Sequence, residues 1–169
     1  GTARAMEIAL EKGVPIVECV TGHDEQAILA LQSLSKTIPV LTAPNTSLGV
    51  ALMRELLERA ASGLDGWTVG IREIHHEKKK DQPSGTARFF VQTIESARAG
   101  KVSDDAVESI REGDVVGEHQ VIFTGPNEEI RLEHVAHDRV LFGSGALRAA
   151  RWVVGRTPGL YTIADTLGR

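Results

Sequence analysis

His75 and His76 stand side by side, followed by Lys78, Lys79 and Lys80 and then by Pro83-Ser-Gly-Thr86. Histidine titrates near neutrality and can donate or accept a proton during turnover. Lysine can hold a carboxylate or a phosphate as a point charge. Free backbone N–H groups at a helix start form an anion site, and Gly85 permits close backbone approach. The hydroxyls of Ser84 and Thr86 add donors on either side. These residue types suit a small anionic substrate bearing a carboxylate; a phosphate would also fit, although no Gly-x-x-x-x-Gly-Lys-Ser/Thr run is present. Plainer readings coexist with this one. Three consecutive lysines are usually a solvated charge run, and two strand-end histidines can be half-exposed without a chemical role. Adjacent histidines rarely chelate one ion together, and no Cys, Asp or Glu lies at a familiar ligand spacing, so no metal site is expected.

The elements that must position this stretch can be read in order. Residues 3–12 carry helical periodicity with Gly13 as a C-terminal cap. Val14–Val20 is short and β-branched, as a buried parallel strand would be. Asp24 suits the N-cap of a helix through Ala27, Ile28, Leu31 and Leu34, and Ile38–Thr42 is the next strand. Strand, helix, strand in under about thirty residues is a βαβ unit, which builds parallel sheets. Ser47 suits the cap of a helix through Leu48, Leu52, Leu56 and Ala60. The pattern then changes. Trp67–His76 alternates as a strand does, Thr86–Ala99 is helical, and strands follow at Val107–Ile110, Val115–Phe123 and Glu129–His134. The last two are joined by the hairpin Thr124-Gly-Pro-Asn127. Gly145–Val154 reads as a helix, and Pro158-Gly159 as the start of a short tail ending near Leu167. Gly143-Ser-Gly145 invites a dinucleotide fingerprint, but Arg148 stands at its third position, which makes it a plain helix start.

Composition sets bounds on function. At 169 residues, with 41% hydrophobic and 25% charged residues, the chain can bury a substantial core. A net charge of −4 argues against general nucleic-acid binding. No apolar run approaches the roughly 20 residues needed to span a bilayer. The lone Cys19 cannot form an intrachain disulfide and suits a reducing compartment. A cytoplasmic protein, without membrane or nucleic-acid partners, is expected.

The words His75-His-Glu-Lys-Lys79 and Asp81-Gln-Pro-Ser-Gly-Thr-Ala87 resemble the central motif of the 4-hydroxy-tetrahydrodipicolinate reductase (dihydrodipicolinate reductase) family, roughly His-His-x-x-Lys-x-Asp-x-Pro-Ser-Gly-Thr-Ala. Thr21-Gly22 and Ala43-Pro-Asn-Thr-Ser-Leu-Gly-Val50 look like that family's cofactor-side loops. Arg111–His119, Glu133-His134, Arg139 and Gly145–Ala150 also fall in family order. The family's usual Gly-Thr-Thr-Gly stands here as Cys19-Val-Thr-Gly22, and the usual aromatic after the loop asparagine is Thr46.

The resemblance implies an α/β fold: a partial Rossmann-like nucleotide-binding domain in residues 1–47 and 139–169, and an α+β mixed-sheet domain for substrate and tetramerisation in residues 48–138. It implies NADPH or NADH as hydride donor to a cyclic dicarboxylate in lysine and diaminopimelate biosynthesis, by a homotetramer. His75 would be the general acid, and Lys79 would act in catalysis and carboxylate binding. His76, Ser84, Gly85, Thr86 and Arg139 would bind substrate, while Thr21, Ala43, Asn45 and Thr46 would lie near the cofactor. Because the family's glycine-rich phosphate loop has no counterpart here, the chain is expected to correspond to the later part of the family's length. The alternative expectation is a non-catalytic dicarboxylate-binding or oligomerising module of such a reductase.

Overall fold

The computed structural model describes residues 1–168, which divide into two compact units. One combines Gly1–Leu48 with the chain from Val140 onward, and the other is Gly49–Arg139.

In the first unit, strands β1 (Ile16–Glu18), β2 (Pro39–Thr42) and β7 (Gly159–Thr162) form a parallel sheet in the order β1-β2-β7. Val40 and Leu41 point to opposite faces of β2, and neither has any exposure. Parallel strands covered on both sides read in this way as continuous apolar runs. Helices α1 (Thr2–Lys12) and α2 (Glu25–Leu34) bury Ala9, Leu31 and Leu34 with Ile38 and Val40. Asp24 caps α2, its carboxylate accepting from the Ala27 N–H at 2.8 Å. Strand β1 keeps only three residues of the expected Val14–Val20; Val14 and Val20 are exposed.

Helix α5 (Val140–Val153) begins five residues before the expected Gly145, so Gly143-Ser-Gly145 lies inside it. A Cβ at Gly145 would stand 1.9 Å from the backbone oxygen of Thr46. Close approach of helix to loop explains this glycine without any phosphate. The segment expected to be a tail instead contributes β7, in register with β2 from Pro39↔Gly159 to Thr42↔Thr162. Four residues with little alternation carried no strand signal; pairing with a buried neighbour supplies it.

In the second unit, β4 (Val107–Arg111), β3 (Thr68–His75), β5 (Gly117–Thr124) and β6 (Glu129–Ala136) form a mixed sheet in that spatial order. β3 pairs parallel to β4 and antiparallel to β5, and β5 pairs antiparallel to β6. Helices α3 (Leu48–Gly63) and α4 (Gly85–Ala97) supply Val50, Met53, Leu57, Ala61, Ala87, Phe90 and Ile94 to a core with Ile71, Val121 and Phe123. The buried stripe of α3 is therefore not the Leu52 and Leu56 side, whose leucines are each 47% exposed.

One face of this sheet changes character along its strands. Ile71, Glu73 and His75 share a face of β3, and Phe123, Val121 and His119 share the facing positions of β5. The apolar end is core. The polar end is the candidate site.

Candidate active site

β3 ends at His75, so the two adjacent histidines diverge. His75 is buried, while His76 is half-buried in the loop that follows. That loop is tied to the turn after β4: the His76 N–H donates to Val115 O at 2.7 Å and the Glu112 N–H to His75 O at 2.9 Å. His76 Nε2 accepts from Arg139 Nη2 at 3.0 Å. Lys79 lies in the same loop, its Nζ 2.8 Å from Asp81 Oδ1. Lys78 and Lys80 are exposed.

Ser84 is the N-cap of α4, and its Oγ accepts from the Ala87 N–H at 3.1 Å. It is fully buried and also lies 3.3 Å from His119 Nε2. Its own N–H donates to Glu73 Oε1 at 3.1 Å. Gly85 is exposed and Thr86 half-buried at the helix start. Lys79 above all, with the Gly85 N–H, holds the Asp81 carboxyl below its usual range. The structure thus gathers His75, His76, Lys79, Ser84, Gly85, Thr86 and Arg139 within one unit.

The chain motif did not single out Glu73, Arg111 and His119. Sheet register brings them in. Glu73 faces His119 across β3 and β5, His119 faces His134 across β5 and β6, and His75 faces Arg111 across β3 and β4. Arg111 places Nη2 at 2.9 Å from Glu73 Oε1 and Nη1 at 3.0 Å from Oε2. It also donates to the carbonyl oxygens of Lys79 and Asp81, at 3.2 and 2.5 Å. His75 Nδ1 is hydrogen-bonded to Glu73 Oε2, and its ring meets that of His119 edge-on at 5.0 Å. Gly117 makes room: a Cβ there would stand 3.0 Å from His75 Nε2. The legible signal was the i, i+2 spacing of Glu73 and His75, which puts both on one strand face.

Charge states follow from these surroundings. Burial alone would raise the Glu73 carboxyl, but hydrogen bonds led by Arg111 outweigh it and hold Glu73 below the usual range. Burial lowers His75, outweighing the opposite pull of Glu73. Burial, followed by the proximity of His75, pushes His119 down to about 3. Between 6.5 and about 3, the unfolded chain binds a proton at His119 that the folded chain refuses. Stability from this group is therefore complete above about pH 6.5 and declines as pH falls toward 3. At about 1.4 kcal/mol per unit, the loss is on the order of 5 kcal/mol. Urea titrations across that window should show the decline, and His119→Gln should flatten it; an unchanged slope would refute the assignment.

The residues named for cofactor binding lie in the first unit. Thr21 is exposed beside Gly22, whose φ of 76° needs glycine. Ala43 is buried, with its N–H bonded to Glu18 O at 2.8 Å. Asn45 Oδ1 accepts from the Ser47 N–H at 2.9 Å. Thr46 is buried and donates from Oγ1 to Phe142 O at 2.8 Å, so its side chain is committed within the fold. Gly22, Thr42 and Pro44 line a largely apolar cleft of about 330 Å³ with Val20, Ile28 and Leu160. It lies by the carboxyl ends of β1 and β2, where parallel sheets bind ligands.

Comparisons with known proteins point to one family. Residues 49–167 match the family described as "Dihydrodipicolinate reductase, C-terminus". The 4-hydroxy-tetrahydrodipicolinate reductase of Xanthomonas campestris pv. campestris (strain B100) is 42% identical over 165 residues, covering 98% of this chain and 68% of its own. That of Caldanaerobacter subterraneus subsp. tengcongensis is 37% identical over 172 residues, covering 93% and 68%. The dipicolinate-bound dihydrodipicolinate reductase from Paenisporosarcina sp. TG-14 shares the fold, with a TM-score of 0.83, 24% identity and coverage of 99% of this chain and 71% of that one. The chain spans about two thirds of the length of these curated relatives, and it belongs to the dihydrodipicolinate reductase family.

Proposed function

We propose that this chain serves the reduction of 4-hydroxy-tetrahydrodipicolinate to tetrahydrodipicolinate in lysine and diaminopimelate biosynthesis, with NADPH or NADH. The observation that carries the reading is the kinship to reductases of that name across almost the whole chain, 42% identical over 98% of it. The geometry supports it with a cationic rim beside a buried histidine. Lys79, the Arg139–His76 pair and the Gly85-Thr86 helix start suit a substrate with two carboxylates. Asp81 already occupies Lys79, so an incoming carboxylate displaces it or shares the ammonium.

In this reading His75 donates the proton, and Lys79 binds a carboxylate and assists the chemistry. His76, Ser84, Gly85, Thr86 and Arg139 shape the substrate site, Ser84 by fixing the helix start. Thr21, Ala43 and Asn45, with the Gly22 turn, would hold the nicotinamide cofactor, and Thr46 would support that loop. When bound, the cofactor supplies hydride. We place the protein in the cytoplasm; among the described residues no helix is long and apolar enough to cross a membrane. We also propose a homotetramer through the sheet of the second unit. The face opposite α3 and α4 carries Ile74, Ile122 and Val135, of which Val135 is 38% exposed.

Lys79→Ala should weaken binding of dipicolinate 10- to 100-fold, since a hydrogen bond to a charged group is worth roughly 1.5–3 kcal/mol. Lys78→Ala should leave it unchanged, because that side chain is solvated. Calorimetry decides: equal effects at both positions would defeat the assignment. Dicarboxylate binding with no NAD(P)H oxidation would favour the non-catalytic module instead.

A further inference from the structure

Glu73 has no exposure, and the proposed chemistry gives it no part. An isolated buried carboxylate costs several kcal/mol, so its partners must be unusually complete. Arg111 forks onto both oxygens, and the Ser84 N–H adds a third donor at Oε1. Hydrogen bonds led by Arg111 hold the group ionised. An ionised carboxylate only accepts hydrogen bonds. The contact between Glu73 Oε2 and His75 Nδ1 therefore requires a hydrogen on Nδ1. In neutral His75 the lone pair is left on Nε2, the nitrogen that a Cβ at Gly117 would approach to 3.0 Å.

We propose that Glu73 is a positioning residue for His75: it fixes the Nδ1–H tautomer and stabilises the imidazolium, so that the transferred proton enters and leaves through Nε2. This rests on the reading of His75 as the acid. The groups around the ring are Glu73 on β3, Arg111 on β4, His119 on β5 with His134 behind it on β6, and Lys79 in the loop. Glu73 is the one among them whose charge favours imidazolium. Arg111 and Ser84 then act through Glu73, as the anchors that aim it.

Glu73→Gln separates charge from shape, because the glutamine oxygen can still accept from Nδ1. Two-bond ¹H–¹⁵N correlation spectra of the imidazoles, recorded against pH, read the outcome directly. In the native chain, neutral His75 should carry its hydrogen on Nδ1. In Glu73→Gln its midpoint should fall by about one pH unit or more, as loss of an adjacent opposite charge requires. A folded variant with an unchanged midpoint, even one of lower Tm, would overturn the proposal and make Glu73 merely structural. Should the variant not fold, the native spectrum still decides: a neutral His75 protonated on Nε2 overturns it. These spectra need no turnover. An active His75→Gln variant would remove the acid role while leaving the Glu73–His75 coupling standing on the spectra alone.

Discussion

Arg111→Met is expected to destabilise the second unit by roughly 3–5 kcal/mol, the cost of stripping one partner from a buried ion pair. The reason lies in what it leaves behind. Glu73 has no solvent to fall back on, and the Ser84 N–H and His75 cannot replace a two-pronged guanidinium. Arg111 also holds the carbonyl oxygens of Lys79 and Asp81, so the loop bearing Lys79 should loosen with it. Urea unfolding of the single variants and of the double variant Glu73→Gln/Arg111→Met measures the coupling. The double variant should lose less than the two single losses combined, since it leaves no charge stranded. Additive losses, or a drop below about 1 kcal/mol for Arg111→Met, would show the pair to be weakly coupled.

Turnover should suffer most from His75→Gln. General acid catalysis contributes about 10²–10⁴-fold, and the loss should fall on kcat with KM little changed, since glutamine keeps the polar contact but cannot deliver the proton. The pH dependence follows in sign. An acid must be protonated, and burial holds His75 below its ordinary value. Activity in the native protein should therefore decline as pH rises through the His75 pKa, and this limb should vanish in the variant. A bound dicarboxylate pulls the other way, because nearby negative charge favours imidazolium. Steady-state NADPH oxidation against pH tests this, and an undiminished kcat would remove His75 from the mechanism.

Much of this was legible in the chain. Alternation marked β3, the cap residue Asp24 and the Pro83–Thr86 run marked helix starts, and the motif from His75 to Ala87 carried the family resemblance. Local signals of this kind survive because strand period and capping chemistry depend on neighbours in sequence. Where neighbours in space decide, the reading failed. β7 needed β2 beside it, and α5 ran back to Val140 through two glycines because Gly145 seats the helix against Thr46. The buried side of α3 likewise depended on which stripe the sheet accepted.

The same division runs through the site. Sequence alone identified the residues with protons and charges to offer: His75, His76, Lys79 and the Ser84-Gly85-Thr86 helix start. It could not say that β3 would end between the two histidines, burying His75 and sending His76 to Arg139. Nor could it bring Arg111 and His119 to Glu73 from 38 and 46 positions away along the chain. Hydrogen-bond register across three strands does that, and register is a property of the folded sheet. The chemistry was written locally, Glu73 beside His75 included; the arginine that anchors the Glu73 carboxylate was placed by tertiary structure.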